Sequence, residues 1–328
     1  MEEIVSISQI DSIIAEEILL RSENDDYATE LERLLGIFKG LLRKFSYDGT
    51  SLYDMEDLRK KIYKRCLDLN KLFKFYSNGD LILADRIVNR FFKLTGNGST
   101  ASCDFPRFDV SQNSVFYRSC TWEAKNRNDI FHPPFEKRGK IGSNRFSYPG
   151  YPCLYLSSSI RCSYEEVVKE KGFFYVSAFK NLKSIDVYDF RFFPSGHNDK
   201  NLLRKIISYP FKIAAAIPLQ EKNVNNKYIE EYIIPQIILH SVIRQKNGSK
   251  MMGILFTSTK AFKKGFQNDD YERYQNLVMP ACYIKKEGYC KVLQDLFELT
   301  EPEKIEKFGL MKDDLLENKI CSKVFCKI

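Results

Sequence analysis

IFHPPFEKRGKIGSNRFSYPGYPCLYLSSSIRCSYEEV, residues 130–167, is the stretch on which the reading of the fold turns. Its first half is dense in Pro, Gly and basic residues, which suits a loop. CLYL (153–156) then reads as a strand, and a helix is expected from Ser163 to Glu170. A polar loop on a strand–helix frame is where binding and catalytic groups concentrate. Working outward, VFYR (115–118), FFYVSAF (173–179) and MMGILFTS (251–258) also read as strands. Tyr228–Arg244 reads as a helix with Asn225 or Asn226 as its cap and a bend at Pro235. Strands and helices follow no regular βαβ rhythm. The expected class is therefore α+β rather than a doubly wound sheet.

Upstream the texture is helical. Leu31, Leu34, Leu35, Phe38, Leu42 and Phe45 recur at three- and four-residue steps, as do Leu58, Ile62, Cys66, Leu69 and Phe73, and then Ala84, Ile87, Val88 and Phe91. Tyr47–Ser51 and Tyr76–Gly79 suit turns, and Asp54 or Ser51 can cap the second helix. Leu94–Asp109, rich in Gly, Ser, Thr and Asn, marks a boundary. The expected organisation is a helical domain over 1–95, a linker over 96–111, a mixed α and β domain over 112–290 and a helical tail over 291–328. The helical domain carries no catalytic constellation and is expected to regulate or to mediate self-association.

The chain of 328 residues is 44% hydrophobic with 25 Phe and 19 Tyr, enough to bury a large core and to exclude general disorder. No apolar run reaches the ~18 residues of a membrane span. The acidic, interrupted N-terminus does not read as a secretory signal. Nine cysteines without regular spacing argue against a disulfide framework and for a reducing cytoplasm. No CxxC pair points to zinc. Residues 1–110 carry 16 basic and 19 acidic residues, and residues 111–328 carry 35 and 24, so the second part has a net charge of +11. That excess favours an anionic ligand or a solvated basic surface. Nucleic-acid binding stays a competing reading, although no recognised nucleic-acid motif is present.

No GxGxxG, Walker A, HExxH or GxSxG signature occurs. A different order of motifs does: Phe116-Tyr117-Arg118, then Phe131–Arg138, Arg145–Ser159, Glu165-Glu166, Tyr232–Gln236 and Gly253–Ser258. In this order the chain resembles the RES domain family over roughly residues 113–260. The resemblance implies an ADP-ribosyltransferase-like fold and an activity that consumes NAD as substrate, with no further cofactor and no metal. It also implies the role of a growth-arresting toxin or phage-defence effector and an Xre-type antitoxin as partner; homo-oligomers are expected only through the helical domain. By residue, it implies Arg118 and Arg145 as the two arginines, Tyr155 as the tyrosine, Glu166 as the acid with Glu165 as its adjacent alternative, and Ser258 as the serine. Asn144 and Ser147 depart from the family's residues on either side of its second arginine.

The chemistry asked of those residues is definite. Cleaving the nicotinamide–ribose bond releases a neutral ring and leaves an oxocarbenium-like sugar. A carboxylate near the anomeric carbon stabilises that charge, and Glu166 is the candidate. Guanidinium groups match pyrophosphate oxygens, which suits Arg118 and Arg145. Tyr155 offers a flat ring and a hydroxyl, and Ser258 a hydrogen bond to substrate or acid. Each has a plainer reading: a structural ion pair, a strand residue, a solvated helix end. His132 is expected to pack beneath its loop, with His197 and His240 structural. Water, phosphate or a protein side chain can accept the sugar; in the last case the protein is an ADP-ribosyltransferase.

Overall fold

The structure, a computed structural model, describes residues 4–46, 54–91, 105–168, 172–193, 202–223, 226–244, 251–262, 268–282, 285–306 and 313–328. Four helices open the chain: α1 (Ile7–Leu19), α2 (Tyr27–Lys44), α3 (Met55–Ser77) and α4 (Leu81–Phe91). Ser6 and Gln9 form a reciprocal capping box on α1, Asp26 caps α2 through the Thr29 amide, and Asp54 caps α3 through that of Glu56. The three apolar stripes read from the sequence are buried on these helices. After α3 the chain turns at Gly79, whose φ of +78° favours glycine. The turn expected at Tyr47–Ser51 and most of the expected boundary segment, residues 92–104, lie outside the described residues.

The rest of the chain adds β1 (Arg107–Val110), β2 (Val115–Cys120), α5 (Arg127–Ile130), β3 (Cys153–Ser157), α6 (Ile160–Val167), β4 (Phe174–Asn181), β5 (Ile185–Phe190), α7 (Leu202–Ala216), α8 (Ile233–Arg244), β6 (Gly253–Thr257), α9 (Asn268–Glu272), β7 (Gln275–Pro280), α10 (Lys291–Leu296), β8 (Phe297–Leu299), β9 (Glu303–Ile305) and α11 (Asp313–Cys321). The protein is α+β with a helical N-terminal region and a mixed sheet. The strand order is β1-β5-β6-β7-β3-β2-β4-β8, with β9 also on β4. Among the paired strands of the described residues, only β5 and β6 run parallel. Strands β2 and β3 share a single paired position, Tyr117 opposite Ser157, so the sheet is two ladders meeting at one point.

Period-two alternation assigns the faces. Leu154, Leu156, Leu255, Leu277 and Met279 build the core on one side. Cys153, Ile254, Phe256 and Val278 face the other, where α7 and α8 lie. The stripes of α1–α4 join α7 and α8 in that same core, and Phe38 stacks on Tyr209 at 4.7 Å between ring centroids. A polar knot crosses this seam. The buried Asp11 carboxylate accepts from the Phe193 amide (3.0 Å) and the Tyr209 hydroxyl (2.7 Å), and it pairs with the Lys212 ammonium.

Three expectations change. The helix expected from Ser163 begins at Ile160, because Ser159 caps it by accepting from the Cys162 amide. The helix expected from Tyr228 is a 3-10 turn, Glu230–Tyr232, preceded by Ile229 and followed by α8, so Asn226 does not cap it, and Asn225 lies outside the described residues. Pro235 then falls in the first turn of α8, where its missing N–H has no intrahelical acceptor to lose. The expected helical tail over 291–328 instead carries β8 and β9, both paired with β4, before α11. Their three-residue length left no periodicity to read.

His132 is fully buried, accepts from the Cys290 amide at Nε2 (2.9 Å) and lies 2.8 Å from the Pro133 carbonyl at Nδ1. Both ring nitrogens are used by the fold, as packing requires. His240 meets the Tyr148 ring edge-on, and His197 lies outside the described residues.

Two outcomes are expected from this packing. Asp11→Ala leaves Lys212 buried without its partner and lowers unfolding free energy by roughly 3–5 kcal/mol, read from urea midpoints; an unchanged midpoint would dismiss the knot. Burial pushes His132 down to about 4 from an ordinary 6.5. The unfolded chain therefore takes up a proton between those values that the folded chain refuses. Stability is complete above pH 6.5 and is lost as pH falls towards 4. His132→Gln keeps an acceptor without a titrating ring, so its urea midpoint varies less steeply across that window than the native protein's.

Candidate active site

The expected acid sits near the end of α6. Glu166 is exposed as a residue, and Oε1 receives two hydrogen bonds, from Ser258 Oγ at 2.5 Å and Asn276 Nδ2 at 2.7 Å. Ser258 is fully buried and follows β6, its oxygen also accepting from the Lys260 amide. Asn276 lies on β7. Its Oδ1 accepts from Ser157 Oγ (2.7 Å) and from the Cys162 thiol (3.4 Å), which fixes the amide orientation and turns Nδ2 to the carboxylate. Three strands and a helix thus hold one carboxylate oxygen. Among the described residues both hydrogen bonds to Glu166 fall on Oε1, so Oε2 remains for a ligand. The neighbouring Glu165 accepts instead from the Tyr274 hydroxyl at 2.7 Å. The two acids diverge as consecutive helix positions must.

The second cluster is the loop carrying Arg145. Gln236 of α8 donates from Nε2 to Ser143 Oγ (2.9 Å), to the Asn144 carbonyl (3.0 Å) and to the Ser147 carbonyl (3.2 Å). Tyr155, half-buried on β3, donates its hydroxyl to Ser147 Oγ at 3.0 Å. Burial pushes that phenol well above its ordinary value. Asn144 Nδ2 also reaches Ser147 Oγ at 3.3 Å. The two residues that depart from the family's pattern thus bond each other across the turn that presents Arg145.

The Arg145 guanidinium donates from Nη1 to the carbonyls of Ala215 (3.0 Å) and Ile217 (2.9 Å), just where α7 ends. It lies 5.5 Å from the centre of the Tyr232 ring. Tyr232 ends the 3-10 turn that precedes α8. Burial raises its phenol, the Arg145 charge lowers it and the Glu166 charge raises it. The Tyr155 phenol feels Tyr232 in turn. Tyr155 and Asn276 point to the α7–α8 side of the sheet with Cys153 and Val278, so the partners of Glu166 and of the Arg145 loop lie on one side.

Arg118 stands apart from them. It springs from β2 on the side of Phe116 and Cys120, because Tyr117 and Ser119 take the other face. Its Nη1 donates to the Tyr155 carbonyl at 2.9 Å, where β2 and β3 part after their one paired position. The guanidinium takes the place of a ladder bond. Its Nε is buried without a hydrogen-bond partner among the described residues, and burial lowers its pKa.

Three residues of this site were given no role by the sequence. Tyr232 and Gln236 belong to the YIIPQ motif already singled out, and a polar residue on an apolar helix was their one signal. Asn276, inside the apolar run NLVMP, had only that same signal.

Comparison with known proteins is sparse. The chain is 27% identical over 319 residues to a protein of Bacillus subtilis (strain 168) named "Putative toxin YopC", covering 89% of this chain and 69% of that one. No family model and no solved structure matches the chain. No helix among the described residues is long and apolar enough to cross a membrane.

The geometry separates a side chain that serves the backbone, Arg118, from one held only by other side chains, Glu166. Arg118→Met leaves the Tyr155 carbonyl without its donor and is expected to lower unfolding free energy by about 1–3 kcal/mol. Glu166→Gln, at an exposed position, shifts stability by less than ~0.5 kcal/mol. Thermal melts of the two variants check this, and equal shifts would contradict the assignment.

Proposed function

We propose that this protein is a toxin-like enzyme that consumes NAD by breaking its nicotinamide–ribose bond. The observation that carries the reading is the Glu166 carboxylate, on an exposed residue but held through Oε1 by Ser258 and Asn276. A carboxylate fixed on one oxygen and free on the other is what an oxocarbenium-like sugar needs beside it. The likeness to a protein whose name calls it a toxin supports the biological role. The order of motifs shared with RES domains supports the substrate.

In this reading the electron pair of the ribose C1′–N bond leaves with nicotinamide, which departs neutral because its nitrogen was cationic. No proton donor is required for that step. Glu166 Oε2 holds a ribose hydroxyl or faces the developing positive charge. Arg145, with Nη1 committed to the α7 carbonyls, presents its remaining N–H groups to the pyrophosphate. Tyr232, beneath the Arg145 guanidinium, borders the sugar and ring. Arg118 acts from behind by keeping β3, and so Tyr155 and the Arg145 loop, in place. Water gives ADP-ribose, phosphate gives its phosphorylated form, and a side chain gives ADP-ribosylated protein.

Incubating the purified full chain with NAD, with and without phosphate, tests this by chromatography of nicotinamide and the ribosyl product. Glu166→Gln is expected to lower nicotinamide release by about 100-fold or more with the fold intact. Glu165→Gln, whose acid is engaged by Tyr274, retains turnover. Absence of nicotinamide release by the native protein would end the proposal.

A further inference from the structure

The N-terminal helices reach the candidate site through the end of α7. Helix ends leave carbonyls without intrahelical partners. Here side chains from both parts of the chain satisfy them in turn. The buried Tyr27 hydroxyl, at the start of α2, donates to the Ala214 carbonyl at 3.0 Å. Arg145 takes the Ala215 and Ile217 carbonyls. Arg21, from the α1–α2 turn, donates to the Pro218 carbonyl at 2.5 Å and to Glu231 Oε1 at 3.1 Å. Glu231 is buried and directly precedes Tyr232, on whose ring Arg145 rests. Gln220 Nε2 then donates to the Ser22, Glu23 and Asp25 carbonyls, and Lys222 to that of Glu23.

We infer that Arg21 is a positioning residue for Arg145: the α1–α2 turn clamps residues 214–222 and thereby sets where the Arg145 guanidinium stands. Two of Arg145's acceptors sit between carbonyls held by Tyr27 and Arg21. The turn cannot shift without carrying Arg145 with it. Arg21 also fixes Glu231, and through it the Tyr232 ring beneath the guanidinium. The helical region is then a working part of the site, although it supplies no group that touches substrate.

This inference rests on the proposed NAD chemistry for its kinetic test and on the hydrogen bonds alone for its structural one. If Arg145 binds the pyrophosphate in ground and transition states alike, misplacing it raises KM for NAD and spares kcat. Arg21→Ala is therefore expected to raise KM by about tenfold with kcat little changed. Arg21→Lys, which can still donate to Pro218 and Glu231, recovers most of that loss. A general weakening of the fold would instead lower kcat through fewer active molecules and leave KM alone, and that result would overturn the inference. Should Arg21→Ala not fold, Gln220→Ala removes three bonds to the α1–α2 turn without opening a buried ion pair. It is expected to raise KM in the same direction, and an unaltered KM would count against the clamp. Amide hydrogen exchange in 214–222 gives the second readout. Exchange there speeds up in Arg21→Ala or Gln220→Ala if the clamp holds that segment, and unchanged exchange overturns it. A native protein that clamps but releases no nicotinamide refutes the enzymatic reading and leaves the clamp standing.

Discussion

The carbonyl groups at the end of α7 are the constraint around which this molecule is arranged. A buried helix terminus must find donors outside itself, and here they come from Tyr27, Arg145 and Arg21. One backbone segment is thereby shared between the N-terminal helices and the loop of the candidate site. The apolar core follows the same logic, since α1–α4 and α7–α8 bury their stripes against each other. The Asp11 knot adds a polar stitch across that seam, stabilised only while all its members are present.

The sheet poses a second demand of the same kind. Where two ladders meet at one paired position, backbone groups beside the junction lose their partners. Arg118 meets that need at the Tyr155 carbonyl. A residue quoted as part of a substrate-binding pattern thus has a structural duty in this chain. Glu166 differs in that its partners, Ser258 and Asn276, fix one oxygen and serve no backbone group through it. The contrast rests on what each side chain satisfies.

Much of the fold was legible because helix and strand periods are local. The stripes of α2, α3 and α4, and the strands at VFYR, CLYL, FFYVSAF and GILFT, are patterns of single segments. β8 and β9 were not legible, because three residues carry no period and their pairing with β4 depends on a distant strand. Pro235 was read as an interruption because its position relative to the start of α8 was unknown. In the site, Arg145, Tyr155, Glu166 and Ser258 were named from motif order, whereas Tyr232, Gln236 and Asn276 acquire meaning only from what they touch.

The sequence by itself determined the class of the fold, the helical N-terminal region and the stretch that presents the acid and the loop arginine. Those properties depend on neighbours within a few residues, so spacing and residue type suffice. Tertiary structure alone decided which acid of the Glu165-Glu166 pair meets Ser258, which way Arg118 faces, and that Arg21 and Arg145 hold the same turn. Each of these depends on hydrogen bonds between residues roughly a hundred positions apart or more in most cases, and no local pattern encodes which distant carbonyl will lack a donor.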